Sequence, residues 1–526
     1  MSNRKISPFK PRLATGVLGV LLGLGLAQAA QAMAPLDTLV IGKSVDPQSL
    51  DPAFTSDNND WTITYPCYQK LVKYAVENGK GSTNLVGDLA ESWKISKDNL
   101  VWTFKLRKGQ KFDDGTPVDA EAVRASFARL MKIGQGPSEN FPTAMKVTVA
   151  DPMTVVFTLP SVFSPFLSTL AVNGAGIVNT KAVMAKPDAG EDGKAWLSRN
   201  TAGSGPFHLT SWIKGQSLVL EPNPYWAGKA PILKKMVIRV IGESSSRRLQ
   251  LESGDLDIVE ELPEDQLFAL KTKPGIHVAE FPSLRVTYLY LNNKRAPFDN
   301  PVVRQAISYA ADYDGIVKGI MKSQVKQMRG AVPEGLWGYD PTVMQYKLDM
   351  AKAKALLDQA NPGRKEWTFL YSVRDPAWEP IGLSLQANLA ALGIKVKMEN
   401  MANASMRERI GKADYDISIG NWSPDFADPY MFMNYWFETK MQGMAGNRSY
   451  YSNPEVDKMV VQAAGLVNQK ERTAIYQAAQ RIVMKDAPYV FLYQKNYQAS
   501  MRDSVKGFVF NPMLEQIFNI ETMSKK

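Results

Sequence analysis

The chain holds one cysteine and two histidines in 526 residues, and each scarcity excludes a chemistry. A lone thiol, Cys67, cannot build an internal disulfide framework or a cysteine-rich zinc or iron–sulfur centre. His208 and His277 lie far apart with no neighbouring His or Cys, so an imidazole-rich metal site is excluded as well. No block of five or six like charges occurs. Bases are interspersed with acids, as between Lys94 and Asp98 and between Glu399 and Lys412. No repeat and no low-complexity linker divides the chain. With 45% hydrophobic and 22% charged residues, the composition is that of a folded soluble protein, neither a disordered polyelectrolyte nor a multi-span membrane protein.

The formal charge of +10 invites a nucleic-acid reading, which depends on where the charge sits. Four of the bases, Arg4, Lys5, Lys10 and Arg12, precede an apolar run from Leu13 to Leu26 and the small-residue stretch Ala27-Gln28-Ala29-Ala30-Gln31-Ala32. That order is the charged, apolar and cleavable sequence of a secretory signal peptide, with the cut expected after Ala32. The run is interrupted and too short for a permanent membrane span. No cysteine stands at the cut to carry a lipid and no twin-arginine pair occurs, so a free periplasmic protein is expected. Removing residues 1–32 takes four positive charges and no negative ones, leaving +6. Nucleic-acid binding is not expected.

Strand and helix signals alternate along the rest. Leu100, Trp102, Phe104 and Leu106 alternate with Val101, Thr103, Lys105 and Arg107, the period of a strand with one buried face. Thr116-Pro117-Val118-Asp119 is expected to open a helix capped by Thr116, with Val123, Phe127, Leu130 and Met131 as its apolar stripe. Asn300-Pro301 and Asn453-Pro454 repeat the punctuation. A helix over roughly 377–392 should stop at Gly393, with strands following at Ile394–Met398 and Tyr415–Ile419. Helix followed by strand, repeated, predicts an α/β protein, in which ligands bind at strand ends and make the loop after Ile419 a candidate site.

Catalytic signatures are missing. There is no G-x-S-x-G elbow, no phosphate loop, and neither Gly134-x-Gly136 nor Gly174-x-Gly176 has the third glycine of a dinucleotide turn. Asp188 to Gly193 starts like a calcium loop, but Arg199 stands where a bidentate Glu is required. The pairs Asp113-Asp114 and Glu260-Glu261 are read as solvated faces, because adjacent strand residues point to opposite sides. Cys67 is read as a small buried residue and His208 as part of a sheet surface. No catalytic residue, metal or cofactor is expected.

Several segments, in order, resemble the extracytoplasmic solute-binding proteins of family 5, the receptors of peptide-type ABC transporters. They are Leu85-Val86-Gly87-Asp88-Leu89-Ala90-Glu91-Ser92-Trp93, Trp102 to Arg107, Lys111 to Pro117, Gly203-Ser204-Gly205-Pro206-Phe207, Asn223-Pro224-Tyr225-Trp226 and Pro297 to Ile307. The resemblance implies a two-lobed periplasmic-binding fold with an extra subdomain inserted in the first lobe, a ligand cleft between the lobes, and two crossings near 282–292 and 488–496. It places lobe I at 33–60, 200–285 and 490–526, the inserted subdomain at 61–199 and lobe II at 286–489. It further implies a monomeric receptor that captures di- to oligopeptides and hands them to an ABC permease and ATPase complex in the inner membrane. Within the family the alternative ligands are an opine, glutathione, a nickel chelate, haem or a sugar. An exported hydrolase or a periplasmic chaperone are the readings outside it.

A free peptide presents an ammonium, a carboxylate and amides to a cleft that loses water on closing, and each buried charge needs a partner. In peptide-binding relatives a tryptophan-containing loop carries the aspartate that holds the α-amino group; Asp425, in Asn421-Trp422-Ser423-Pro424-Asp425-Phe426-Ala427-Asp428-Pro429, is the matching position. Asp428, before Pro429, is read as the turn residue and Trp422 as a cleft wall or packing residue. Arg374, in Tyr371-Ser372-Val373-Arg374-Asp375-Pro376, aligns with the arginine that clamps the ligand's carboxylate, though Asp375 beside it departs from the pattern. Thr55 and Ser56, in a loop that lines the cleft in relatives, are candidate ligand contacts or helix N-caps before a helix from Trp61 to Leu71.

Overall fold

Trp102, Phe104 and Leu106 turn one face of the strand Val101–Leu106 into a core while Lys105 faces water, and Phe104 packs edge-on against Phe157, 5.6 Å away. In the computed structural model, which describes residues 35–526 apart from Ser56, Val373 and Arg374, this strand belongs to a four-stranded antiparallel sheet. The order is Ala90–Ile95, Val101–Leu106, Thr154–Thr158, Lys146–Asp151. The helix Ala120–Ile133 covers it through Val123, Phe127 and Leu130. Asp119, not Thr116, caps this helix, accepting from Ala122 N at 2.8 Å. Thr116 binds Asp114 instead, because Pro117 is still held in an extended bridge with Lys111. The helix ends at Gly134, whose φ of 64° suits a left-handed cap.

Among the described residues the main sheet has eleven strands. Its path runs Lys395–Asn400, Glu366–Tyr371, Ile417–Trp422, Ile276–Leu291, Tyr489–Arg502, Ile258–Glu260, Thr38–Lys43, Lys235–Val240, Ser217–Pro222, Phe207–Ile213, with Val325–Gln327 also paired to Tyr489–Arg502. Parallel pairs occur at Thr38–Lys43 with its two neighbours and at Glu366–Tyr371 with its two, where helices cover the faces and burial is nearly continuous. The chain forms two lobes of mixed α/β structure, and two long antiparallel strands, Ile276–Leu291 and Tyr489–Arg502, run from one into the other. Their ladder breaks between Pro282 and Val286, where Pro282 offers no N–H and the register shifts. Side chains bridge the gap: Ser283 Oγ donates to Lys495 O at 2.7 Å and the Gln494 amide donates to Ser283 O at 2.6 Å.

One continuous hydrophobic core runs through the four-stranded subdomain and the second lobe, and another fills the first lobe around Leu39, Ile41, Met236 and Ile520. Of the pair Glu260-Glu261, Glu261 is exposed as expected but Glu260 is not. Glu260 is buried and bonded to Lys43 at 2.7 Å and to Tyr497, and Glu261 accepts from Ser44 and Gln516. Cys67 is buried, with Sγ donating to Ile63 O at 3.1 Å, and burial pushes its thiol well above the ordinary range. No helix of the described residues is long and apolar enough to cross a membrane. The signal-peptide reading lies outside the described residues.

Candidate ligand-binding cleft

Ile417, Ser418 and Ile419 are fully buried between Ile276–Leu291 and Glu366–Tyr371, so the strand that carries them is fixed along its length. Gly420 is required there: a Cβ would fall 1.7 Å from the Tyr290 hydroxyl. The loop that follows is anchored at its far end. Asp428 accepts from Tyr430 N at 2.9 Å, in the turn it was expected to make, and receives both arms of the Arg472 guanidinium at 2.8 Å. Arg472 also donates to Ala463 O and lies 4.8 Å from the Trp337 ring centre. With Asp428 occupied, Asp425 is the loop's free carboxylate.

Asp425 is half-buried and makes no ion pair among the described residues. It faces the one-turn helix Gly136–Asn140 of the inserted subdomain. Desolvation pushes its pKa up to about 6, opposed by hydrogen bonding from the Asn140 side chain and assisted by the charge of Glu139. Its negative charge adds to burial in raising the phenols of Tyr74 and Tyr435. Beside it opens a cavity of about 640 Å³, lined among others by Glu139, Phe163, Phe426, Tyr430, Tyr435 and Lys440. The subdomain and the second lobe touch at its rim. Phe163 meets Tyr430 edge-on at 5.4 Å, and Ser164 donates from N to Ala464 O at 3.0 Å and from Oγ to Leu466 O.

Trp422 is half-buried and stands 5.9 Å from Tyr435, ring to ring, with its Nε1 buried and unpaired. The structure therefore brings Asp425 and Trp422 together around one aromatic wall. Thr55 is buried, its hydroxyl reaching toward the Asp60 carboxylate without a well-formed hydrogen bond, and its carbonyl accepts from Trp61 Nε1 at 3.2 Å. It caps no helix. The helix runs Asn58–Thr64 and Asp57, in extended conformation, caps it, accepting from Asn59 N, while Phe54 N and Thr55 N turn back on Asp51 O. Ser56 and Arg374 lie outside the described residues. Ser372, at the end of the strand before Arg374, is buried with an unpaired hydroxyl.

Sequence reasoning missed Glu139, Asn140, Tyr74 and Tyr435, none of which sits in a motif. It also missed Arg448, which is 7% exposed and pairs with no acid among the described residues. A signal for it existed: no Asp or Glu occurs between Glu438 and Glu455. Chemically the cleft offers an unpaired carboxylate and aromatic walls, with the Arg448 guanidinium 5.2 Å from the Trp422 ring centre. Among the described residues no group of three or more His, Cys, Asp or Glu is placed to hold a metal.

The family model for "Bacterial extracellular solute-binding proteins, family 5 Middle" matches residues 84–443. The chain is 58% identical over 508 residues to the probable D,D-dipeptide-binding periplasmic protein DdpA of Escherichia coli, a match covering 96% of this chain and 98% of that one. It is 29% identical to heme-binding protein A of Haemophilus influenzae, over 92% of each. Among solved structures it superposes on the periplasmic binding protein DppA of Helicobacter pylori in complex with the peptide STSA. That match has a TM-score of 0.81 and 29% identity, covering 93% of this chain and 98% of that one.

Proposed function

Because the chain belongs to family 5 of the bacterial extracellular solute-binding proteins, we propose that it is the periplasmic receptor of an ABC importer for short peptides with a free amino end, D,D-dipeptides in particular. The observation that carries the peptide reading is Asp425: a desolvated carboxylate on the cleft loop, steadied by Asn140 from the opposite side and lacking a cation among the described residues. A buried charge without a partner is costly, and a ligand ammonium supplies one. The choice of D,D-dipeptide rests on the 58% identical relative.

The reaction scheme is capture and delivery. Exported by the leader at 1–32, the protein stays free in the periplasm, and the lobes, with bounds as the family implies, bend about the ladder break at Pro282–Val286. Ligand binding shifts the population toward the closed form, which an inner-membrane permease and its ATPase then engage. Asp425 holds the ammonium, Trp422 walls the cleft, and Thr55 and Ser56 remain candidate contacts to the ligand backbone. The test is titration calorimetry with D-alanyl-D-alanine and L-alanyl-L-alanine. The D,D-isomer is expected to bind at least about tenfold more tightly, a gap of 1.4 kcal/mol. Absence of binding by both dipeptides would overturn the proposal.

A further inference from the structure

We propose that Arg448, with the indole N–H of Trp422, holds the carboxylate of the ligand, making it the counterpart of Asp425 at the other end of the cleft. This rests on the peptide reading above and assigns the clamp to a residue 74 positions from Arg374 in the chain.

Arg448 is nearly enclosed, yet only two of its nitrogens are used. Nε donates to Met444 O at 2.9 Å and Nη1 donates to Tyr290 Oη at 3.1 Å. Both acceptors are neutral. Its guanidinium lies 5.2 Å from the Trp422 ring centre and 5.9 Å from that of Tyr290, contacts that position a cation without neutralising it. A buried cation normally finds an anion, and among the described residues this one has none.

The neighbouring groups lack the same thing. Trp422 Nε1, which can only donate, is buried and unpaired. The hydroxyls of Tyr288 and Tyr489, whose rings stack 4.7 Å apart beside Tyr290, are also buried without a well-formed hydrogen bond, although Tyr288 reaches toward Tyr290 and Tyr489 toward the Arg448 backbone. A guanidinium, an indole and two phenols thus converge with donors to spare and no anionic acceptor, and a carboxylate brings two oxygens of the needed sign. Position agrees with chemistry. Arg448 packs on Trp422, Trp422 on Tyr435, and Tyr435 lines the cavity and feels the charge of Asp425. The acid and the base flank one aromatic wall, as the two ends of a short zwitterionic peptide require.

The test compares D-alanyl-D-alanine with its C-terminal amide by calorimetry on the wild type, Arg448→Gln, Arg448→Lys and Trp422→Phe. The wild type is expected to prefer the acid by about a hundredfold. In Arg448→Gln the acid should weaken by about that factor while the amide is unchanged, so the preference collapses. Arg448→Lys keeps the charge but loses the fork, and is expected to retain a reduced preference; it decides the matter if the Gln variant does not fold. Trp422→Phe should lower the preference severalfold. An acid preference that survives intact in both Arg448 variants, as it would if Arg374 were the clamp, overturns the assignment while leaving the peptide reading standing. A wild type that binds neither compound overturns the peptide reading itself.

Discussion

Asp425→Asn is expected to weaken dipeptide binding by at least about a hundredfold and to leave the melting temperature of the empty protein unchanged or raised. Losing one partner of a desolvated charge pair costs about 2–5 kcal/mol of binding. In the empty protein the same carboxylate sits without a cation where burial already raises its pKa to about 6, so neutralising it removes a penalty. The pH dependence follows. An ammonium pairs with the ionised form, so affinity should fall as pH drops through about 6, approaching tenfold per unit below that, and Asp425→Asn should abolish this dependence. Stability runs the other way in the empty protein. A folded pKa above the ordinary 3.8 means that Asp425's contribution is fully present below 3.8 and lost as pH rises through about 6. Glu139, which faces Asp425, and Tyr74 and Tyr435, packed near it, are retained in the variant. The difference between the two profiles therefore reports Asp425 alone. Equal affinities for wild type and Asp425→Asn across this range would remove Asp425 from the site.

Three residues along the same loop, Asp428→Ala should do the opposite. It breaks a two-armed ion pair with Arg472 in which both side chains are no more than 5% exposed, and it strands the guanidinium in the core. Breaking such a pair costs about 3–5 kcal/mol. Arg472 would keep its bond to Ala463 O and its place near Trp337, which does not offset the buried charge. The expected result is a large fall in denaturation midpoint, measured by urea unfolding, whereas dipeptide affinity of the folded fraction stays within a few fold of wild type. Replacing the pair together, Asp428→Leu with Arg472→Met, should recover much of the lost stability, since apolar replacements of buried pairs are often neutral or better. If Asp428→Ala instead lost binding with its stability intact, the roles assigned to the two aspartates would be reversed.

What the sequence made legible was local. Asn300 and Asn453 each cap a helix with proline just inside, and Gly393 ends another with a φ of 78°. These are decided within a few residues of chain. The alternation of helix and strand pointed to the loop after Ile419, and the family motifs added the two-lobed fold and Asp425 within that loop. Failures came where distant chain decides. Thr116 looks like a cap until the bridge between Lys111 and Pro117 keeps the backbone extended and passes the role to Asp119. Glu260 reads as surface because its partner, Lys43, lies 217 residues away on a neighbouring strand. Glu139 and Asn140 reach Asp425 only because the subdomain folds back against the second lobe. Arg448 was detectable only as a base in an acid-free stretch, and the unpaired donors around it come from three separate strands.

The central claim, that the cleft holds a peptide by its free ammonium, is tested most directly by calorimetric titration of the wild-type protein at neutral pH with D-alanyl-D-alanine and with its N-acetylated form. Acetylation removes the charge while keeping the carboxylate, the side chains and the stereochemistry. The free dipeptide should bind at least about a hundredfold more tightly than the acetylated one, the cost of leaving a desolvated carboxylate unpaired. Equal affinity for the two compounds would contradict the account.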